Sequence, residues 1–264
     1  MIRARQLVGQ ASRMVAFTGA GISAESGIPT YRDAENSLWK AYDPQKTVQI
    51  DFFLRDPAPF WRFFRDLRYK AISAAKPNPG HLALAEMERA GKLSAIITQN
   101  IDGLHQAAGS QRVIELHGNT RRIGCLNCSG SFTMETVYQL LEKELPPRCP
   151  ECGGMLKPKV VFFGEALPQE ALMDAARYST TCDLLIAVGS SLQVYPAAAL
   201  PERARASGAK LIIINKTPTP FDYLADALLH QAAGEVLPVL AEGGEVDTDL
   251  GRTMPGEPEA GIGT

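Results

Sequence analysis

The chain predicts an α/β fold, a doubly wound parallel sheet interrupted by insertions. Three observations lead there. Four short runs, Met14–Thr18, Ser94–Thr98, Leu184–Val188 and Leu211–Ile214, are almost continuously apolar, as strands covered on both faces must be. Each runs directly into Gly19, Gln99, Gly189 or Asn215, small or polar residues suited to a strand end. Helix-like stretches, such as His81–Ala90 and Pro168–Tyr178, lie between them, and alternation of strand with helix is the signature of this class. Ligands on such sheets sit at the carboxyl ends of the strands. The polar motifs of this chain fall at those ends.

The first run leads into Gly19-Ala20-Gly21-Ile-Ser-Ala24, a G-x-G-x-x-A string. Glycines there let backbone approach a pyrophosphate, and a following helix N-terminus would attract its charge. A plain tight turn accounts for the same glycines. Dehydrogenases of this fold also carry an acidic residue at the end of a second strand about 20 residues on. Here that region reads Leu38-Trp-Lys-Ala-Tyr-Asp-Pro44, which is not a strand, so a nucleotide would be held in another manner. The turn continues to Tyr31 and Arg32, a fixed charge beside the expected phosphates or a surface arginine.

From Ala34 to about Lys76 the chain is rich in aromatic and charged residues, including Trp39, Phe52, Phe53, Trp61, Phe63 and Phe64. Their spacing suggests helices packed on the sheet. The second run is followed by Gln99-Asn100-Ile101-Asp102-Gly-Leu-His105. These side chains suit ribose or an amide, Asp102 suits a developing cation, and Asn100 or Asp102 also suits a helix N-cap. His117 ends the β-leaning run Val113–His117, where a histidine serves as a general base or sits satisfied in a core. Gly189-Ser190-Ser191 and Asn215-Lys216 follow the last two runs and suit phosphate or ribose hydroxyls.

Cys125-Leu-Asn-Cys128 and Cys149-Pro-Glu-Cys152 are two Cys-x-x-Cys pairs separated by twenty residues. Two such knuckles make a tetrahedral Cys₄ site of the kind zinc favours, and a closed shell of thiolates is structural rather than catalytic. Met134–Leu145 reads as an amphipathic helix between the pairs. The remaining thiol, Cys182, opens an apolar run and reads as buried. Free thiols with a zinc knuckle fit a reducing compartment.

Composition narrows the classes. At 264 residues with 45% hydrophobic content, the chain can build one large and one small core. A net charge of −2 argues against a general nucleic-acid binder. No apolar run approaches the roughly 18 residues of a membrane span, and Met1–Arg13 lacks the apolar stretch of a secretory signal. The end of the chain, 243–264, is rich in Gly, Pro and acid and is expected to be disordered.

Taken together these segments resemble the sirtuin family, the NAD-dependent protein deacylases. The resemblance is carried by Gly19-Ala-Gly-Ile-Ser23, Ser26-Gly-Ile-Pro29, Tyr31-Arg32, Thr98-Gln-Asn-Ile-Asp102, Leu104-His105, His117-Gly118, both cysteine pairs, Phe162-Phe-Gly-Glu165, Gly189-Ser-Ser191 and Val194-Tyr-Pro196. They follow the family order from about residue 14 to 240.

The resemblance implies a Rossmann-like NAD-binding domain from residues 1–35, 77–122 and 156–242. A smaller domain would comprise the helical insertion 36–76 and the Cys₄ zinc module 123–155. It implies that acyl-lysine attacks the nicotinamide-bearing ribose carbon of NAD and that the acyl group ends on ADP-ribose. His117 would be the general base, with Asn100 and Asp102 positioning the nicotinamide ribose and carboxamide. Gly19, Ala20, Gly21, Tyr31, Arg32, Gln99, Ile101, Gly189, Ser190, Ser191, Asn215, Lys216 and Ala233 would hold the rest of NAD, which is consumed as a co-substrate. One Zn²⁺ would be structural. Substrate peptides would add a strand between Val161-Phe162-Phe163-Gly164-Glu165 and Leu192–Tyr195, which includes Val194 and Tyr195. Val161 and Phe163 would wall an apolar tunnel for the acyl-lysine.

Two departures bear on the acyl group. Thr30-Tyr-Arg-Asp-Ala34 leans toward the branch that removes succinyl and malonyl groups. That branch binds the acyl carboxylate with a Tyr-x-x-Arg pair, and Phe60–Arg68 offers Arg62, Arg65 and Arg68 with no such tyrosine. An unpaired carboxylate is costly to bury, so deacetylation is expected. The rival readings are desuccinylation or demalonylation, mono-ADP-ribosyl transfer, and a non-enzymatic module sensing NAD or ADP-ribose. Acyl-lysine proteins or peptides are the expected partners, with no membrane and no specific nucleic acid, and the compact core implies a prokaryotic, cytoplasmic protein.

Overall fold

The computed structural model describes residues 1–30 and 43–242. The expected nucleotide contacts Tyr31 and Arg32, together with Ala34 and the segment 243–264, lie outside the described residues.

In chain order the elements are α1 (Ile2–Gln10), β1 (Met14–Thr18), a 3₁₀ segment (Ala20–Ser26), α2 (Pro44–Thr47), α3 (Ile50–Arg55) and α4 (Ala58–Phe63). A single π turn (Phe64–Arg68) leads to α5 (Tyr69–Ala74), α6 (Pro79–Arg89), β2 (Leu93–Thr98), α7 (Leu104–Ala107) and β3 (Val113–Glu115). Then come β4 (Gly118–Cys125), β5 (Ser131–Thr133), α8 (Met134–Leu141), β6 (Leu156–Val160), α9 (Gln169–Thr181) and β7 (Leu184–Val188). The chain continues through α10 (Ala199–Ala206), β8 (Lys210–Ile214), β9 (Ala227–Leu229) and α11 (Ala233–Ala241).

The main sheet has six strands in the order β3-β2-β1-β7-β8-β9, all parallel. Its order reverses between β1 and β7, so the crevice where a doubly wound sheet binds its ligand opens above Thr18 and Val188. All four apolar runs are strands of this sheet. Alternate residues face opposite layers: Met14, Ala16, Ile186 and Ile212 pack with α1, α6 and α11. Val15, Phe17, Leu185 and Ile213 pack with α9 and α10. Because both faces are covered, the strands read as unbroken apolar runs. The outer strands β3 and β9 are three residues each, too short to show such a run.

Asn78 starts α6 in a capping box, its Oδ1 accepting the backbone N–H groups of Gly80 and His81. The helix expected over Met134–Leu145 stops at Leu141. Leu145 precedes proline and is driven out of the helical region, and Pro146 has no N–H to extend the turn. Cys182 is buried, and burial pushes its thiol up to about 11.

A second sheet, antiparallel in the order β5-β4-β6, carries the cysteine knuckles. It crosses the expected domain limits, since β4 starts at Gly118, ahead of the limit at 122, and β6 starts at Leu156, beyond the expected zinc module. Trp39 lies outside the described residues, and Phe53, Phe60, Trp61 and Phe64 do not join the clusters on the main sheet, where their spacing alone suggested they would pack. Phe53, Phe60, Trp61 and Phe64 form one cluster with Ile123 of β4, Val137 of α8, Leu156 of β6 and Phe162. The main sheet already has helices on both faces, and the small sheet has an apolar face in need of cover. No helix among the described residues is long and apolar enough to cross a membrane.

Candidate active site and metal centre

The strand ends at the crevice are stitched to one another by backbone. Gly19 N–H donates to Val188 O (3.0 Å), Gly21 N–H to Gly189 O (2.7 Å), Gln99 N–H to Thr18 O (2.9 Å) and Gly189 N–H to Ile214 O (2.8 Å). A β-carbon on Gly19 would lie 2.8 Å from Gly189 O, and one on Gly21 2.7 Å from Gly189 Cα. The glycines are therefore required first by the close approach of two loops. The expected helix after β1 is a 3₁₀ segment of seven residues, so binding there rests on loop backbone and side chains instead of an α-helix terminus.

Polar side chains converge over this frame. Asn100 Nδ2 donates to Gly19 O (3.0 Å) and to Ser23 Oγ (3.1 Å). Ser23 Oγ donates to Asp102 Oδ2 at 2.8 Å. The other carboxylate oxygen of Asp102 accepts Leu104 N–H at 2.9 Å, an Asx-type turn just ahead of α7, so one carboxylate ties the loop to the helix start and to Ser23 at once. Gln99 Nε2 donates to Ser190 Oγ at 2.9 Å, joining the ends of β2 and β7. Leu192, two residues on, has a positive φ of 53° and is buried at 2% exposure. Its fixed side chain holds the loop from Ser190 to Tyr195 in a strained bend.

The structure brings Gly19, Ala20, Gly21, Gln99, Asn100, Ile101, Asp102, Gly189, Ser190 and Ser191 to the switch point of one sheet. Asn215 lies one strand further, its Nδ2 donating to Thr217 O (2.7 Å) and its carbonyl accepting His230 Nδ1–H (2.9 Å). Lys216 is exposed beside it. Ala233 points its methyl into the apolar cluster under the sheet. The neighbouring Gly234 N–H is already taken by Glu25 Oε2 at 2.8 Å, which leaves Ala233 only its backbone for a ligand. The hydroxyls, amides and one carboxylate of this set match the donor and acceptor pattern of a ribose and carboxamide, so NAD fits the residues present.

His117 follows β3. Its Nδ1 lies 2.9 Å from Gln99 O. A carbonyl only accepts, so Nδ1 carries the proton and Nε2 presents its lone pair, the tautomer a general base requires. Desolvation lowers the pKa of His117 below its ordinary 6.5, against the opposing pull of the Gln99 carbonyl. The ring is neutral at pH 7.

Sequence reasoning missed a buried layer beneath these groups. His81 Nδ1 accepts Asn78 N–H (3.4 Å), which turns Nε2–H toward Ser23 Oγ at 3.5 Å. Thr18 Oγ1 donates to Thr98 Oγ1 at 2.8 Å and lies 2.9 Å from His105 Nε2. Burial depresses His81 to about 4, while Asp102 and Glu25 pull it upward; burial and His81 depress His105 to about 3. Ser23 stood in the quoted glycine motif, but its role depends on Asn100 and Asp102, nearly eighty residues away in sequence.

The four knuckle thiols lie within 4.8 Å of one another. Cys125 and Cys152 are 3.6 Å apart and Cys128 and Cys149 3.8 Å apart, sulfur to sulfur. Four ligands at a Zn–S distance of about 2.3 Å put sulfurs about 3.8 Å apart. Backbone N–H groups of Asn127 and Gly130 donate to Cys125 Sγ (3.3 Å) and Cys128 Sγ (3.4 Å), as thiolates accept them. The set fits one structural metal ion, held by Cys125, Cys128, Cys149 and Cys152.

Beside His117, Val161 N–H donates to His117 O at 2.9 Å. Phe163 is fixed by the insertion, its N–H donating to Val48 O (2.9 Å) and its carbonyl accepting Ile50 N–H (3.0 Å). Phe163, expected as a tunnel wall, is 51% exposed, and Phe162 is 2% exposed. Alternation along an extended segment turns one ring out when the next turns in. Phe162 meets Phe60 at 4.9 Å and Phe53 at 5.0 Å between ring centroids. In the loop after β7, Val194 and Tyr195 are exposed.

A doubly wound sheet with polar groups at its switch point, a neutral histidine and a separate Cys₄ knuckle defines a nucleotide-using protein with a structural metal module. Comparison with known proteins makes the class specific. The Sir2 family model matches residues 19–196. A protein of Archaeoglobus fulgidus named NAD-dependent protein deacylase 2 is 47% identical, over 91% of this chain and 94% of its own. One of Sulfurisphaera tokodaii named NAD-dependent protein deacetylase is 48% identical, over 86% of this chain and 89% of its own. A solved structure described as Sir2 bound to acetylated peptide superposes with a TM-score of 0.83 at 42% identity, covering 90% of this chain and 95% of that one. The chain belongs to the Sir2, or sirtuin, family.

Proposed function

We propose that this protein is an NAD-dependent protein-lysine deacetylase, which releases nicotinamide and free lysine and passes the acetyl group to ADP-ribose. The observation that carries the mechanism is the tautomer of His117: Nδ1 is committed to Gln99 O, so Nε2 is free to take a proton from a ribose hydroxyl. The names of the relatives and the acetyl-peptide structure support the reaction class.

NAD would lie across the switch point. Asn100 and Asp102, tied through Ser23, would meet its nicotinamide end; Gln99, Ser190 and Ser191 would meet the phosphates, and Asn215 and Lys216 the adenosine. The acyl-lysine peptide would enter between Val161–Glu165 and Val194–Tyr195. In the segment Val160–Phe163, Val161 O alone has no donor among the described residues, and it suits the amide N–H of an acyl-lysine.

An uncharged acyl group fits best. Phe60, Trp61 and Phe64 are buried in the apolar cluster, Arg62 is exposed, and Arg65 is paired with Asp66 at 2.7 Å. Among the described side chains there, a succinyl carboxylate would find no ready buried partner. Unpaired thiols at all five cysteines suit a reducing compartment such as the cytoplasm.

The test is NAD-dependent turnover of one peptide scaffold carrying acetyl-lysine or succinyl-lysine. Acetyl-lysine should turn over faster, and His117→Ala should lower kcat by about 10²–10⁴-fold while retaining NAD binding. Preference for succinyl-lysine would overturn the acyl assignment, and unchanged turnover in His117→Ala would overturn the mechanism.

A further inference from the structure

Beside the turn that would receive the substrate sits a largely covered cation that the proposed reaction does not use. Lys157, in β6, has 10% of its side chain exposed, and an ammonium is costly to bury unless it is paired. Its Nζ donates to Val160 O at 2.7 Å, lies 2.9 Å from Glu165 Oε2 and sits 4.4 Å from the centre of the Phe162 ring. The same carboxylate oxygen accepts Phe162 N–H at 2.7 Å. Glu165 N–H closes the turn onto Phe162 O at 3.0 Å, with Gly164 at a φ of +91° where such a bend needs glycine.

These bonds fix both peptide groups that flank the α-carbon of Val161. In the Val160–Val161 peptide the carbonyl is held by Lys157 and the N–H by His117 O. In the Val161–Phe162 peptide the N–H is held by Glu165. The N–H and C=O of a trans peptide point in opposite directions, so the grip on Phe162 N–H aims Val161 O away from Glu165. Glu165 is thus not a side chain offered to the substrate. Its carboxylate folds back into the turn, and Lys157 keeps it there.

We infer that Lys157 is a positioning residue for the acyl-lysine: acting through Glu165 and Val160, it sets the direction of Val161 O relative to His117. The inference rests on the deacetylase reading above. Without the ammonium, the carboxylate of Glu165, 28% exposed, is free to turn to solvent and release Phe162 N–H. The acceptor for the acyl-lysine amide then loses its aim, while the NAD contacts at the ends of β1, β2 and β7 are untouched.

The experiment is steady-state kinetics of the full chain with NAD and an acetyl-lysine peptide, comparing Lys157→Met, Lys157→Arg and Glu165→Gln with wild type. Lys157→Met should raise the peptide KM about tenfold or more, the scale of a lost charge-assisted hydrogen bond. The NAD KM should stay within about twofold, kcat should change less than the peptide KM, and Lys157→Arg should restore most of the loss. Combining Lys157→Met with Glu165→Gln should cost less than the product of the two single effects, because both cut one linkage. Should Lys157→Met fail to fold, the near-isosteric pair decides: Glu165→Gln raises the peptide KM selectively and Lys157→Arg does not. An unchanged peptide KM, or an equal rise in the NAD KM, would overturn the inference. A wild-type protein inactive on acetyl-lysine would instead overturn the underlying function, so the two failures are distinct.

Discussion

Every residue of β1 and β7 is buried, whereas β4 fully buries only Thr120 and Ile123 of its eight residues and β5 buries none. The parallel sheet is held by two apolar layers, one on each face. The antiparallel sheet has one apolar face, covered by the aromatic insertion, and is gathered at its far end by four thiols. A large core stabilises itself by burial; a small one needs a further constraint. The site is built where these two kinds of stability meet. On the proposed function, its NAD side would hang from the ends of β1, β2 and β7, and its peptide side from the segment after β6.

The largest break in this comparison should come from the metal. Chelation, or Cys149→Ser, should unfold the small sheet and abolish deacetylation, since a structural metal contributes folding free energy directly. Hydrogen exchange should show amide protection lost across β4, β5 and β6 and kept in β1, β7 and β8. Equal loss in both sheets would mean the two fold as one unit.

Deleting core volume in the main sheet should do the reverse. Ile186 has 0% exposure in the middle of β7, and Ile186→Ala should cost about 2–5 kcal/mol of global stability in denaturant titration. Bound metal should be unchanged in the fraction that remains folded. A loss of metal without a loss of global stability would reverse the assigned roles of the two sheets.

The smallest effect sharpens the comparison through pH. His81 and His105 both belong to the layer beneath the site, and burial lowers both, to about 4 and about 3. Between those values and about 6.5, the unfolded chain takes up protons that the folded chain refuses. Stability from these groups is therefore complete above about pH 6.5 and declines as pH falls toward 4, by at most about 1.4 kcal/mol per pH unit for each histidine. His105→Gln should flatten the slope of stability against pH in this window. An unchanged slope would place the acid sensitivity elsewhere.

Some of this was legible before any coordinates. The apolar runs named the central strands because a strand covered on both faces can carry nothing else. The knuckle cysteines were legible because short-range spacing carries their chemistry, whereas His117 was legible only as a candidate, base or core histidine alike, until its bond to Gln99 O was seen. The antiparallel sheet was not, since Gly118–Cys125 has a mixed burial pattern that resembles loop. Nor was Ser23 as the bridge between Asn100 and Asp102, because a hydroxyl two residues past a glycine turn has no distinguishing pattern of its own.

By itself, then, the sequence determined what local patterning encodes: the central parallel strands, the paired cysteines, the turns that must be glycine and the family that these strings resemble. Tertiary structure alone decided which distant groups share a hydrogen bond. It set the tautomer of His117 through Gln99 O, folded Glu165 back onto Phe162 N–H under the hold of Lys157, and gave the aromatic insertion to the small sheet. The physical reason is range. Propensity and periodicity act over a few residues, but a hydrogen bond or a packing contact is fixed by where two remote segments come to lie, and that is settled only when both cores have closed.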